Sequence, residues 1–349
     1  MSPRMLASCR NNPMRRFPRL RGCMAARAAS GLIAGLACAC GGASNIAPAT
    51  DAGSSTPTHN AGSADAGAVP ILSAEDSGTA TSGCSAASQL VYVLSTQNVI
   101  YSFDPPTKSF TPVATLDCDA GSMVPNSMAV DRLGNAWIDY VSLDTQENVT
   151  GGAIFEMNLQ VGNCTATNIV LGPGWYQVGM GYSTASATDP TDTLYLAGDN
   201  NIQTCVLGGD STSAGLATID TTTGTLTRVG SFSNGLGGQN AELTGTGDGR
   251  LFGFFDLTEV EIAQINKTTA ATPIQNAVAG VQCPWAYAFS FWGGDFYLYT
   301  ATGQDINSSV THYTSADGGI DTSYIPDVGF AIIGAGVSTC APTTSILPR

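Results

Sequence analysis

Positive charge is nearly absent from most of this chain. Seven arginines lie before residue 30, which leaves 6 of the 13 basic residues to face all 27 acidic ones, a net of 6 − 27 = −21 beyond the leader. Such a surface repels phosphate backbones and anionic headgroups, so nucleic acid is excluded as a partner. Solubility is the plain use of that charge. Histidine is scarcer still, with only His59 and His312, and no Cys-x-x-Cys pair occurs. No zinc or other metal site is therefore expected, and no cofactor, because Walker and dinucleotide fingerprints are missing along with the G-x-S-x-G nucleophile motif. With 11% charged residues and abundant Gly, Ser, Thr and Ala, the composition is that of an exported β-protein with many tight turns.

What is present begins with a basic leader. Arg15, Arg16, Arg19, Arg21 and Arg27 precede the apolar run AASGLIAGLACA and then Cys40-Gly41-Gly42. The run is too short for a permanent membrane span and reads as a signal peptide over residues 1–39. It finishes at cysteine instead of an ordinary small-residue cleavage site, and in this it resembles a bacterial lipoprotein signal. The resemblance implies lipidation of Cys40, or of Cys38, and an exported protein anchored in the cell envelope, at the outer membrane and open to the cell surface. The pattern departs from the usual one, since no Leu stands three places before Cys40 and Gly35 stands three before Cys38. Residues 40–83 have almost no bulky apolar side chains and no periodicity. They cannot bury enough surface to offset ordering entropy, so they read as a disordered tether ahead of a domain over residues 84–349.

That domain repeats one phrase. SMAVDRLGNAW followed by GAIFEMN, AELTGTGDGRLFGFF, AYAFSFWGGDFYLYT and, more loosely, VGMGYS with DTLYLAG each read as a strand, a Gly-containing turn, a second strand and then a third. A repeat of this kind in an all-β chain points to a propeller, because one four-stranded blade buries its faces only against neighbouring blades. Four blades follow in order: Ser127–Arg132, Asn135–Val141, Gly152–Asn158 and Thr165–Val170; Val178–Ser183, Thr193–Gly198, Gly215–Thr221 and Leu226–Phe232; Ala241–Gly247, Arg250–Asp256, Glu261–Lys267 and Ala271–Val278; Ala286–Trp292, Asp295–Ala301, Ser308–Thr314 and Ile320–Pro326. LVYVLS, VIYSFD and TPVATL then lack an inner strand, and GFAIIGAG lacks three outer ones. Joined, they make a fifth blade closed by both chain ends, which removes open sheet edges. A sixth blade stays open as an alternative, because about 65 residues separate the second blade from the third. Asp104, Asp220 and Asn266 end third strands before Thr-rich turns and are read as Asx-turn residues. The chain resembles the kelch and NHL class of propellers and, in SMAVDRLGNAW, AELTGTGDGRLFGFF and GAGVSTCAP, uncharacterised lipid-anchored proteins of myxobacterial type. That resemblance covers Cys84 to Pro342 and implies a fold and an address, with no known activity.

Six cysteines fall in the domain, and an exported chain favours disulfides. Pairing the terminal strands brings Cys340 beside Cys84. Strand direction places Cys164 on their side and Cys118, Cys205 and Cys283 on the other, an odd number on each, which leaves the remaining pairings open; Cys118–Cys164 and Cys205–Cys283 are the pairs expected. Calcium is the weaker reading of the loops AGDNNIQT and TGTGDGR, which lack EF-hand or nonapeptide spacing.

In this topology the loops entering first strands, and those joining second to third strands, meet at one axial mouth. Asn126 and Ser127, Trp175, Tyr176 and Gln177, Gln239, Asn240 and Glu242, and Trp285 and Tyr287 collect there. Aromatics among amides and a carboxylate suit a polar ligand with apolar faces, such as a sugar, or the centre of a protein contact. The competing reading is that Trp175 and Trp285 plug gaps between blades. Glu242 is the sole carboxylate near the start of a first strand, too little for the usual pair of a hydrolase. The sequence thus favours a binding or interaction module of the envelope whose partner is a polysaccharide or an envelope protein. A carbohydrate-active or ester-cleaving hydrolase using Glu242, or a purely structural envelope protein, are the alternatives.

Overall fold

The computed structural model describes residues 84–199, 213–282 and 284–345. The expected signal, the lipidation at Cys40 or Cys38, the tether, and Cys205 and Cys283 lie outside the described residues. Among the described residues, twenty strands form five antiparallel four-stranded sheets. From the axis outward, the first blade is β20 (Ile332–Val337), β1 (Val91–Ser95), β2 (Val99–Asp104) and β3 (Ser109–Thr115). The second is β4 (Val124–Val130), β5 (Asn135–Leu143), β6 (Val149–Asn158) and β7 (Cys164–Ala166), and the third is β8 (Gln177–Ser186), β9 (Asp189–Asp199), β10 (Gly215–Asp220) and β11 (Thr225–Gly230). The fourth is β12 (Ala241–Gly245), β13 (Leu251–Phe255), β14 (Glu259–Gln264) and β15 (Ile274–Gln282), and the fifth is β16 (Pro284–Trp292), β17 (Asp295–Thr302), β18 (Ser309–Thr314) and β19 (Gly319–Ile325). This is a five-bladed β-propeller. Among the described residues between β8 and β12, the strands belong to the third blade, of which β8 and β9 are long at 10 and 11 residues, and none forms a sixth blade.

Burial falls from the axis outward. β1, β12 and β13 are buried at every position, whereas β3 and β19 are mostly exposed and β11 has no buried position. A strand covered on both faces needs apolar side chains on both, which is why LFGFF does not alternate. Each fully buried Phe or Leu there contributes about 1.5–3 kcal/mol. The outer strand β3 carries Pro112 opposite Tyr101, beside a register shift, and a proline blunts an edge that could recruit another strand.

The five inner strands β4, β8, β12, β16 and β20 touch one another in a closed ring, and they approach closely. A Cβ at Gly179 would lie 1.9 Å from the Ala241 carbonyl oxygen, and one at Gly336 would lie 2.9 Å from the Val130 nitrogen. Only glycine fits these crossings. The Asx readings hold at Asp220 and Asn266: Asp220 Oδ1 accepts from the Thr222 and Thr223 amides at 2.9 and 3.1 Å, and Asn266 Oδ1 from those of Thr268 and Thr269 at the same distances, whereas Asp104 Oδ2 accepts from the Thr107 hydroxyl at 2.8 Å.

The chain ends close the ring as the sequence implies. β20 pairs with β1 from Val91↔Val337 to Ser95↔Ile332, and Cys84 is bonded to Cys340. Cys118 is bonded to Cys164, the pair expected, although strand direction had placed the two on opposite faces. Each strand step twists a sheet by roughly 20–25°, so after three steps the outermost strand lies steeply across the axis and its ends no longer mark a top or bottom. β7 is also shorter than expected, because the Thr167 hydroxyl takes the Ile154 carbonyl at 2.6 Å just past its end.

Replacing both Cys84 and Cys340 by Ser is expected to lower the unfolding free energy by about 2–4 kcal/mol in urea. Removing Cys118–Cys164 should cost less, since it closes 46 residues and the other 256. Equal losses would contradict a clamp at the junction of the ring.

Candidate functional site

The axial mouth holds a cavity of about 160 Å³. Its wall is made by the first residues of all five inner strands: Pro125 and Asn126 of β4, Gln177 and Val178 of β8, Ala241 and Glu242 of β12, Trp285 and Tyr287 of β16, and Ile333 of β20. Asn240 and the ends of two second strands, Leu143 and Asp199, complete it. Small-molecule sites usually span about 300–1,000 Å³. This one therefore suits a single ring or side chain, presented end-on.

Six of the ten residues expected at the mouth line the cavity: Asn126, Gln177, Asn240, Glu242, Trp285 and Tyr287. Trp175, Tyr176 and Gln239 do not. Trp175 is buried in the core beneath, where Gly198 leaves room for its ring; a Cβ at Gly198 would lie 2.7 Å from it. It fills the space between blades. Tyr176 packs on the same cluster, its carbonyl against Gly152, and Gln239 sits in a turn closed by its own amide on Leu236. Ser127 lies just below, fully buried.

A chain of polar contacts fixes the floor. Asn126 Nδ2 donates to Asp139 Oδ2 and to the Val178 carbonyl, both at 3.0 Å, and the Val178 amide donates to the same Asp139 oxygen at 3.2 Å. Since both partners of Asn126 Nδ2 are acceptors, the orientation of that amide is set, and its Oδ1 then accepts from Gln177 Nε2 at 3.0 Å. Ser127 Oγ donates to Glu242 Oε2 at 2.8 Å. β4 and β12 are separated in the ring by β8, so this bond spans the axis, over the place where Gly179 carries no side chain.

The carboxylates here are buried and perturb one another. Burial pushes Glu242 well above the usual carboxylate range, the Ser127 hydroxyl and the Met180 backbone offset part of this, and the Asp139 charge adds to it. Asp139, with no exposed surface, is likewise raised by burial against the opposing bonds from Val178 and Asn126. Tyr287 is held well above its ordinary value by burial, then by the charges of Asp256, Asp199 and Glu242. Three acids besides Glu242 thus attend the mouth, and the sequence reading missed them. Their signal was available: Asp139 stands alone in the apolar strand NAWIDYV, and AGD and FFD each place an Asp where a second strand reaches the mouth.

Around the opening stands an apolar rim. Trp285 is 49% exposed, with its indole Nε1 donating to the Asp305 carbonyl at 2.9 Å, and Val124, Leu143 and Ile306 are exposed beside these segments. Arg132 pairs with Asp192 at 2.8 Å, and Thr339 bridges both. His312 lies on β18, away from the mouth, with Nε2 3.2 Å from Asp295. Asp248, in a loop considered for calcium, is paired with Arg250 at 2.7 Å, and among the described residues no group of three or more His, Cys, Asp or Glu is placed to hold a metal ion.

No family model and no curated protein sequence matches this chain. Among solved structures it is similar, over 72% of its length and 99% of the other chain, to a chain of a nidogen/laminin complex at 11% identity and TM-score 0.36. A protein of unknown function from Bacteroides caccae covers 71% of it and 98% of that chain at 14% and 0.36. The GH74 xyloglucanase from Xanthomonas campestris covers 67% of it and 35% of that chain at 15% and 0.35. At such values these likenesses carry nothing about the mouth, and the fold rests on the strand pairings above.

The raised carboxyls give a pH signature. Where the folded pKa exceeds the ordinary 4.5 of Glu, the native state binds more protons than the unfolded one, so stability falls as pH rises through that window. Asp220, held below 3.8 by the Thr223 and Thr222 amides, acts in a separate, more acid window and with the opposite sign. Chemical denaturation from pH 4.5 toward neutrality should show stability declining in the parent and declining less in Glu242→Gln. Identical slopes would contradict the burial of an ionisable carboxyl at the axis.

Proposed function

We propose that this propeller is a binding module of the cell envelope, with the axial mouth as its recognition site and a carbohydrate end group as its ligand. The observation that carries the reading is the cavity, where a half-exposed tryptophan and a tyrosine stand over fixed amides and carboxylates at the junction of five inner strands. Aromatic faces take the apolar face of a sugar ring while amide and carboxylate groups take its hydroxyls. The leader supports an address: export, a lipid at Cys40 or Cys38, and a polysaccharide or envelope protein as the surrounding partner.

A second reading has one observation in its favour. Glu242 and Asp139 are both raised and lie close enough for one charge to act on the other, which is how a carboxyl is kept protonated as a general acid. A hydrolase of this kind would lose turnover in Glu242→Gln with its fold intact.

Binding is tested by a glycan and envelope-fraction screen with the full oxidised chain, with and without calcium. Retention of a defined glycan, independent of calcium and weakened at least about 10-fold in Trp285→Ala, is expected. Retention that Trp285→Ala leaves unchanged would move the site elsewhere.

A further inference from the structure

The wall of the axial cavity differs from one side of the ring to the other. The inner strands follow one another around the axis as β20, β4, β8, β12 and β16, so the first and second blades are neighbours, as are the third and fourth. The first and second blades give the wall Ile333, Val124, Pro125, Val141 and Leu143, all apolar, and one amide, Asn126. That amide is spent on the floor, where its Nδ2 donates to Asp139 and to the Val178 carbonyl and its Oδ1 accepts from Gln177. The third and fourth blades give Gln177, Asp199, Asn240 and Glu242, and beside these only Val178, Gly179 and Ala241. Trp285 and Tyr287 of the fifth blade stand between the two arcs. One arc of the mouth is thus apolar and the other polar. No Lys, Arg or His lines either. Burial pushes Glu242 toward its neutral form, in which a carboxyl both donates and accepts, as a hydroxyl does.

From this two-sided wall we infer that the cavity selects a neutral 6-deoxyhexose, a sugar ring that carries a methyl group where an ordinary hexose carries a hydroxymethyl. Such a ring has hydroxyls along one edge and a methyl on the other, which matches the polar and apolar arcs. An ordinary hexose has hydroxyls on both edges. It would bury its 6-hydroxyl against Ile333, Val141 and Leu143, whose side chains neither donate nor accept, and a buried hydroxyl left unpaired is costly. A uronic acid or other anionic sugar finds no countercharge in the wall. An aliphatic amino-acid side chain fills the apolar arc and leaves the polar one unmatched. The Trp285 ring, half-exposed with its Nε1 already held by the Asp305 carbonyl, offers an apolar face to the sugar ring, and about 160 Å³ holds one such ring. The inference rests on the binding reading of the mouth and adds its ligand class.

The test titrates the full oxidised chain with methyl glycosides in pairs that differ only at C6, rhamnoside against mannoside and fucoside against galactoside, all of the L series, followed by ligand-observed NMR. A methyl glucuronide, a methyl N-acetylglucosaminide and Nα-acetyl-leucine amide are titrated alongside. In at least one pair the 6-deoxy sugar should bind at least about 10-fold more tightly than its parent, and more tightly than the other three ligands. Leu143→Gln, at an exposed position, and Ile333→Thr should bring the members of that pair together, while Trp285→Ala weakens both alike. The ligand series is decisive even if the Ile333 variant fails to fold. If glycans are retained in the envelope screen and no 6-deoxy sugar exceeds its parent, the methyl assignment is overturned and carbohydrate recognition stands. If neither a sugar nor a glycan binds, both readings fall. Tightest binding of the leucine amide would overturn the sugar in favour of a protein side chain, and a preference that Leu143→Gln and Ile333→Thr leave unmoved would remove the apolar arc as its cause.

Discussion

The closeness of the inner strands is the constraint on which the remainder of the molecule depends. Five strands surround the axis with so little room that β8 meets β12 through Gly179, and β20 meets β4 through Gly336. Small residues continue around the ring as Ala129, Ala286, Ala288 and Ala335. Bulky side chains are excluded from the axis and go between blades, where five apolar clusters hold Phe, Tyr, Leu, Ile and Met from facing sheets. Interiors of this density transmit displacement poorly tolerated by neighbours, so the ring acts as one rigid part.

That rigidity sets the mouth. Inner strands locked against one another present Asn126, Gln177, Glu242 and Tyr287 at fixed separations, and Ser127 Oγ meets the Glu242 carboxylate across the axis. The same tightness buries the acids. Asp139 and Glu242 lose water, which raises their pKa, and the floor network satisfies only one oxygen of Asp139. Buried polar groups of this kind cost stability wherever a partner is missing.

Much of this was legible in the sequence, and what was not has physical causes. The strand–turn–strand phrases revealed five blades, because a strand buried on both faces must be apolar throughout, and the unpaired LVYVLS and GFAIIGAG found each other on the same logic. Cys84–Cys340 followed from that closure. The mouth was legible as a topological meeting point, so six residues named there line the cavity. Trp175 follows the competing reading and fills the gap between blades, since strand order says which end of a blade a residue occupies but not whether its side chain turns to the axis or between sheets. Cys118 and Cys164 were placed on opposite faces because twist, invisible in a strand list, turns the outermost strands across the axis. Asp139 escaped notice because attention went to first strands, although the second strands end at the same mouth.

The most direct measurement is the stability of Gly179→Ala against Gly172→Ala, by chemical denaturation of the oxidised protein. A Cβ at 179 would lie 1.9 Å from a backbone oxygen of β12, and one at 172 would meet nothing within 4 Å. The ring account predicts a loss of at least about 3 kcal/mol at 179, at or beyond the upper end of ordinary overpacking, and little change at 172. Two variants of equal stability would show that the inner strands are free to move apart, and the fixed geometry of the mouth would lose its basis.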